Sequence, residues 1–260
     1  MERMFRHLAV LAVLFSPAIA RAEPAASCTP LFANGQAPAL LNARLAERTY
    51  SLCYRAYAVV ASGITRGALW SAEHPTAVGL AAARQTRRVN LFQPELSLLP
   101  ADRAELADYV RSGYDRGHMT PSGDMPDPVA QQQSFSLANI VPQTAELNRG
   151  VWERIESAVR TLVKRRGEAY VVTGPAFQGA NLQQIGGRVL VPSSTWKAIY
   201  IPATGDAGAW SCTNTVTPVC TVLSVADLAV QTGVDPFPGL PPNVKVTLGR
   251  LPVPRSPRNR

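Results

Sequence analysis

Asp115-Arg116-Gly117-His118-Met119, with Asn148 thirty residues beyond the histidine, sets one imidazole, one neutral amide oxygen and several guanidiniums within a single stretch of chain. That inventory suits metal-assisted cleavage of a phosphodiester. An imidazole can take a proton from water near neutral pH. An amide oxygen can bind a hard cation that otherwise keeps its waters, and guanidiniums can grip phosphate. An N-terminal export signal would take His7 with it and leave only His74 and His118, so the choice of general base is narrow.

His118 follows a glycine and precedes a proline turn at Pro121, and Arg116, two residues back, shares its strand face by the period of two. Asn148 opens a helical pattern, where it can cap the helix or bind a magnesium ion; that cation needs few protein ligands when substrate phosphate completes its shell. Glu156 lies eight residues further, roughly 12 Å along a helix and turned about 80° from Asn148. That is too far to share the cation directly but near enough to hold one of its waters; an exposed pair with Arg160 is the competing reading. Arg88 and Arg160 are further candidates for gripping phosphate, and spacing does not separate Arg88 from its neighbour Arg87.

The elements that position these residues follow from periodicity and punctuation. Pro38 to Glu47 reads as a short helix. Tyr50 to Ser62 reads as a strand with Gly67 to Ser71 as hairpin partner. Ala81 to Asn90 is a polar stretch, and Leu99 to Asp102 a turn into a helix over Ala104 to Val110. Gly113 to Met125 is a loop, strand and loop, and Ser134 to Val141 a short element ending at Pro142. Leu147, Val151, Ile155, Val159 and Leu162 recur at spacings of four and three, which predicts a helix from Ala145 to about Arg165 that stops at Gly167. Strands are expected over Glu168 to Thr173, Arg188 to Val191 and Trp196 to Ile201, with Val222 to Thr232 partly helical. No repeat or linker divides the chain, which reads as one α+β domain over residues 23–251, with a basic, proline-containing, disordered tail over 252–260.

The chain has 260 residues, 46% hydrophobic and 17% charged, ample for a buried core and unlike a disordered protein. Arg3 and Arg6, the apolar run Leu8 to Phe15, and small residues through Ala18, Ala20 and Ala22 form a secretory signal over residues 1–22. The run is too short for a membrane anchor, which needs about 20 apolar residues. No later segment is longer, so no stable membrane association is expected. Export places the protein in the periplasm or outside the cell. Losing Glu2, Arg3, Arg6 and Arg21 lowers the formal charge from +8 to +6, still favourable for a polyanionic partner. The four cysteines then read as two disulfides rather than a zinc site, since no C-x-x-C or paired-histidine spacing is present; Cys212 and Cys220, close in sequence, suit a hairpin clip, and Cys28 and Cys53 are left to pair.

The segment Tyr114-Asp115-Arg116-Gly117-His118-Met119-Thr120-Pro121 resembles the signature of the DNA/RNA non-specific endonucleases of the ββα-metal superfamily, a group that includes secreted bacterial nucleases and mitochondrial endonuclease G. The likeness continues through Phe135 to Gln143, through Leu147 to Trp152, and through Ile155-Glu156. Weaker echoes follow at Val171 to Pro175, Val191-Pro192, Trp196-Lys197 and Thr232 to Pro238. The resemblance implies a central antiparallel sheet with helices on both faces, and an active site in which a hairpin and a helix pinch one metal. It implies His118 as general base, Asn148 as ligand of Mg2+ (Mn2+ could substitute), Arg116 at the scissile phosphate and Glu156 supporting the metal's waters. Asn139 matches an active-site asparagine that orients or polarises the histidine. Arg88 and Arg160 match arginines of the family, and DNA and RNA are the implied substrates. A protein inhibitor is a conceivable partner. Two readings compete with an exported nuclease: a non-catalytic nucleic-acid-binding protein on the same scaffold, and a phosphodiesterase acting on a small molecule.

Overall fold

Seven strands make one continuous antiparallel sheet. In chain order they are β1 (Thr49–Cys53), β2 (Tyr57–Ser62), β3 (Gly67–Glu73) and, after the separate hairpin β4 (Asp115–His118) and β5 (Ile140–Gln143), β6 (Tyr170–Ala176), β7 (Ser194–Ile201), β8 (Asp206–Thr213) and β9 (Cys220–Leu223). Across the sheet the order is β9-β8-β7-β6-β3-β2-β1. The computed structural model describes residues 26–254, so the expected signal over 1–22 and the tail beyond Pro254 lie outside the described residues.

Every residue of β2 and β3 is buried, as are nearly all of β6 and β7, which is what a sheet covered on both faces requires. Alternation sorts the side chains. Val172, Ala198 and Ala209 face a core built with Phe32, Val225, Leu228 and Phe237. Val171, Ile199 and Ile201 face the opposite core, together with Ile155, Val159, Leu162 and Val163. Those four residues lie on the helix α2 (Glu153–Arg166) at spacings of four, three and one, a single apolar stripe. Full burial of each stabilises by about 1.5–3 kcal/mol. The helix stops at Gly167, whose φ of 95° few other residues adopt cheaply.

The long helix, the hairpin strand at Asp115 and the strands around Tyr170 and Trp196 thus match expectation. Four stretches differ. Pro38 to Glu47 is not one helix: Ala39–Leu40 pairs with Val234–Asp235, and only Ala43–Ala46 coils, capped by Asn42. Tyr50 to Ser62 is two strands, because the chain reverses after Cys53 and Tyr54 N donates to Tyr57 O. A helix, α1 (Ala77–Ala83), precedes the polar stretch; Thr76 caps it by accepting from Gly79 N. Strand β8 has no strong sequence signal, its Ala-Gly-Ala stretch being held in place by pairing along all of β7.

The disulfides are Cys28–Cys53 and Cys212–Cys220, the second clipping opposed residues of β8 and β9. Among the described residues no helix is long and apolar enough to cross a membrane. The closed loops span 25 and 8 residues, so chain entropy assigns the bridges about 3.5 and about 2.5 kcal/mol. Urea unfolding of Cys28→Ser/Cys53→Ser and Cys212→Ser/Cys220→Ser should show losses in that order, and a larger loss from the shorter loop would contradict the entropic account.

Candidate active site

The hairpin β4–β5 pairs Asp115 with Gln143, Arg116 with Pro142, Gly117 with Val141 and His118 with Ile140. Gly117 is required by close approach: a Cβ there would overlap the Gln143 side chain, which crosses its face. After β5 the chain winds through a π-helical segment, Leu147–Trp152, before α2 begins. Gly150 carries the irregular backbone, with φ −103° and ψ −112°. The helix start expected near Ala145 is therefore a π turn, a feature that often sits at functional sites. It carries Asn148 to the mouth of the cleft.

Arg88, Arg116, His118, Asn148, Glu156 and Arg160 line one cleft, as the sequence reading required, together with Arg149 and Glu153. Asp115 is the joint between its two halves. Its carboxylate accepts from Asn148 Nδ2 (2.9 Å), Arg149 Nε (2.7 Å) and Arg149 Nη2 (2.5 Å). Burial pushes the Asp115 carboxyl up, but hydrogen bonds from Arg149 and Asn148 hold it below the usual range. Because a carboxylate only accepts, the Asn148 amide nitrogen must face it, leaving the amide oxygen for another partner.

His118 is half-buried, and its Nε2 is enclosed with no hydrogen-bond partner among the described residues. The ring packs against Phe92 (5.4 Å between centroids) and edge-on to Phe135 (4.9 Å). The same two rings support the arginines: Arg116 lies 4.3 Å over Phe92 and Arg88 5.5 Å over Phe135. Burial, and then repulsion from Arg88, pushes the imidazole down to about 3, so it is neutral at any ordinary pH. A neutral imidazole on the wall of a cleft can accept a proton through the nitrogen that faces it.

Glu156 sits over a polar patch of the sheet. On that face Glu73, Ser71, Thr173 and Lys197 succeed one another across β3, β6 and β7. Lys197 is buried and donates to Thr173 Oγ1 (2.5 Å). Arg160 donates to Asp124 Oδ1 (3.0 Å) and lies 3.9 Å from Glu156 and 3.7 Å from Glu153. Burial raises the Glu156 carboxyl to about 7 despite Lys197 and Arg160; Glu73 is raised well above the normal range for the same first cause.

Two expected residues take places of their own. Asn139 is fully buried beneath the cleft; its side chain accepts from Thr120 N (3.0 Å) and donates to Thr120 O (2.9 Å) and Ser134 O (3.0 Å). It fixes the chain just past His118, and its side-chain bonds go to backbone, not to the imidazole. Arg160 is in the cleft, but three carboxylates surround it, so it braces Glu156 and Asp124 where a free phosphate grip was expected.

Sequence reasoning missed Asp115 as the joint, Phe92 and Phe135 as supports, and the buried group Glu73, Asp124 and Lys197. It also missed Gln131, which is buried on the helix Pro128–Ser134. Gln131 Oε1 accepts from Val89 N (2.9 Å) and Nε2 donates to Arg87 O (2.8 Å), bracketing Arg88. The first of three consecutive glutamines gives no signal of that. The aromatics were readable: both sit in the stretches that flank the histidine.

Among the described residues no group of three His, Cys, Asp or Glu side chains converges as a metal cage. The donor set that is present, one free amide oxygen with a carboxylate nearby, fits a hard cation that keeps most of its waters and takes phosphate oxygens. It does not fit a tetrahedral zinc site, which needs thiolate or imidazole ligands.

Residues 41–243 match the family described as DNA/RNA non-specific endonuclease. The mitochondrial nuclease EXOG of Danio rerio is 31% identical over 192 residues, 66% of this chain and 56% of the relative. A nuclease of Nostoc sp. is 32% identical over 179 residues, 62% of this chain and 64% of the relative. Human mitochondrial endonuclease G is 31% identical over 170 residues, 61% and 54% of the two chains. The matched part of the chain thus spans a little over half the length of these relatives. A solved complex of EndoG with EndoGI aligns with TM-score 0.64 and 26% identity, over 71% of this chain and 84% of that one. With the family matched across most of its length, the chain belongs to the DNA/RNA non-specific endonucleases.

Proposed function

We propose that this protein is an exported, metal-dependent endonuclease that hydrolyses DNA and RNA with little sequence preference. The observation that carries the reading is the cleft itself, in which a neutral, unpartnered imidazole, a free amide oxygen and exposed arginines meet. The nitrogen of His118 that faces the cleft takes a proton from water as the water oxygen bonds to phosphorus and the opposite P–O bond breaks. Arg116 and Arg88 bind the non-bridging oxygens. Asn148 holds the cation, with Mg2+ the favoured ion and Mn2+ a substitute, and Glu156 accepts hydrogen bonds from the waters around it. Bound there, the cation supplies Lewis-acid neutralisation of charge on the phosphate and the leaving oxygen. The arginine contacts are to phosphate and the others to water or the cation, so none reads a base.

The signal-like N-terminus and two disulfides support export to the periplasm or beyond. A protein inhibitor is a partner of the kind bound in the EndoG–EndoGI complex. Supercoiled plasmid and ribosomal RNA should both be degraded by the mature protein with magnesium and left intact with EDTA. His118→Ala and Asn148→Ala should each lower kcat by at least about 10³-fold while leaving the fold unchanged. Shifted but uncut nucleic acid from well-folded wild type would instead favour a binding protein, and cleavage of a small diester alone would favour a small-molecule phosphodiesterase.

The acid side of the pH profile should belong to Glu156. Its carboxyl, raised to about 7, gains a proton as pH falls through that value, whereas His118, pushed down to about 3, stays neutral. Activity should therefore decline on the acid side at or below about pH 7, a bound cation drawing the value down. In Glu156→Gln the rate should drop and that limb should disappear from kcat/KM. A limb that stays at the same pH in the variant would assign it elsewhere.

Gln131→Ala should release the segment that carries Arg88. KM for oligonucleotide should rise about 3- to 30-fold, as for removal of a charge-assisted hydrogen bond to phosphate of roughly 0.7–2 kcal/mol, with circular dichroism unchanged. Gln131→Ala added to Arg88→Ala should cost nothing more; additive losses would show that Gln131 acts by another route.

A further inference from the structure

Beyond the catalytic cleft, on the solvent side of α2, runs a groove of about 660 Å3. Arg149 and Glu153 line both, so the two adjoin. Arg154 and Arg165 line the groove, with Ser157 between them and Pro252 on the opposite wall. Arg154 and Arg165 are eleven residues apart, so on a helix they lie within about 20° of one direction and about 16 Å apart along the axis. Neither forms an ion pair among the described residues, unlike Arg149, which holds Asp115, and Arg160, which is surrounded by carboxylates. Glu153 is the groove's one acid, and it lies 3.7 Å from Arg160, which offsets its charge. The groove therefore presents uncompensated positive charge in continuity with the place where phosphate is cut.

We propose that this groove carries the substrate strand away from the scissile phosphate, Arg154 and Arg165 each contacting a backbone phosphate. The inference rests on the nuclease reading and adds the path of the strand. At about 3.4 Å of axial rise per nucleotide, a strand reaching from Arg154 to Arg165 spans about five nucleotides. Single strands and one strand of a duplex share the phosphate chemistry that the two arginines recognise. The proposal concerns affinity alone, since neither arginine reaches the cleft.

The test compares mature wild type, Arg154→Ala/Arg165→Ala and, as a remote control, Arg44→Ala, on a dinucleotide and on a single-stranded oligonucleotide of about 20 residues. For the long substrate the double variant should raise KM roughly tenfold at unchanged kcat. The slope of log KM against log salt should shrink by about 1.4, or about 0.7 for each phosphate that an arginine no longer neutralises. Dinucleotide turnover should match wild type, because so short a substrate ends before the groove, and Arg44→Ala should change nothing. An unchanged KM and salt slope on the long substrate would overturn the proposal, as would equal losses on both substrates. If wild type cut neither substrate, the nuclease reading would fall. Fluorescence anisotropy of the long oligonucleotide in EDTA would still decide the groove, equal affinity of wild type and double variant ruling it out.

Discussion

The Asp115 carboxylate is the interaction on which the site depends. The hairpin strand carrying Arg116 and His118 and the helical segment carrying Asn148 are separate elements with no ladder between them. Asp115 bridges them by taking hydrogen bonds from Asn148 and both sides of the Arg149 guanidinium. One geometric fact then settles two others. The distance from strand to helix is fixed, and the Asn148 amide is turned so that its oxygen, not its nitrogen, is left over. The pairing would fail without Gly117, since Gln143 occupies the space where a side chain would stand. The residues flanking the histidine in sequence are therefore as demanding as the histidine itself, though neither need touch substrate.

Under the cleft the fold tolerates something that a stable core would avoid. Glu73, Asp124 and Lys197 are all buried, with Glu156 and Arg160 mostly so. Three carboxylates face two cations, so full ionisation of the acids is not compensated locally, and burial raises Glu73 and Glu156. Ion pairs of this kind are poor sources of stability, because desolvation offsets most of the attraction. They are a good means of holding a carboxylate in one place above a rigid sheet. Arg160 belongs to this support: its position in the cleft suggests a phosphate ligand, whereas its partners make it a counter-charge.

What the sequence discloses divides along the same line. Local order left its mark. The 3.6-residue stripe of α2, its glycine stop, the strand around His118 and the Cys212–Cys220 bridge can be read from spacing, because each is specified by neighbours in the chain; Cys28–Cys53 followed as the remaining pair. Strand β8 could not, since its Ala-Gly-Ala run becomes a strand only by pairing with β7. The turn that divides Tyr50 to Ser62 was hidden because apolar and aromatic residues continue across it. In the site, the imidazole, the amide and the arginines were legible as rare chemistry in a compact pattern. Their supports were not. Lys197 and Glu73 come together beneath the cleft from strands more than a hundred residues apart, and Gln131 is an ordinary residue until its two backbone partners are known.

In the proposed reaction an arginine assigned to phosphate, Arg88, also opposes the base. Burial lowers the basicity of His118, and Arg88 lowers it further, so the free protein holds a weak proton acceptor. An arriving phosphate changes both effects in the same direction. Its negative charge would compensate Arg88, and a water beside it would bond the ring nitrogen that faces the cleft. In the proposed reaction the ring would gain basicity when a phosphodiester is present and lose it when the substrate leaves. This coupling needs no moving part, because Phe92 and Phe135 keep the ring in place throughout. It also follows that removing Arg88 would have two opposed effects, weaker phosphate binding and a stronger base in the free protein. The measured consequence would fall mainly on KM, and a loss of kcat as large as that from removing His118 would be inconsistent with this electrostatic balance.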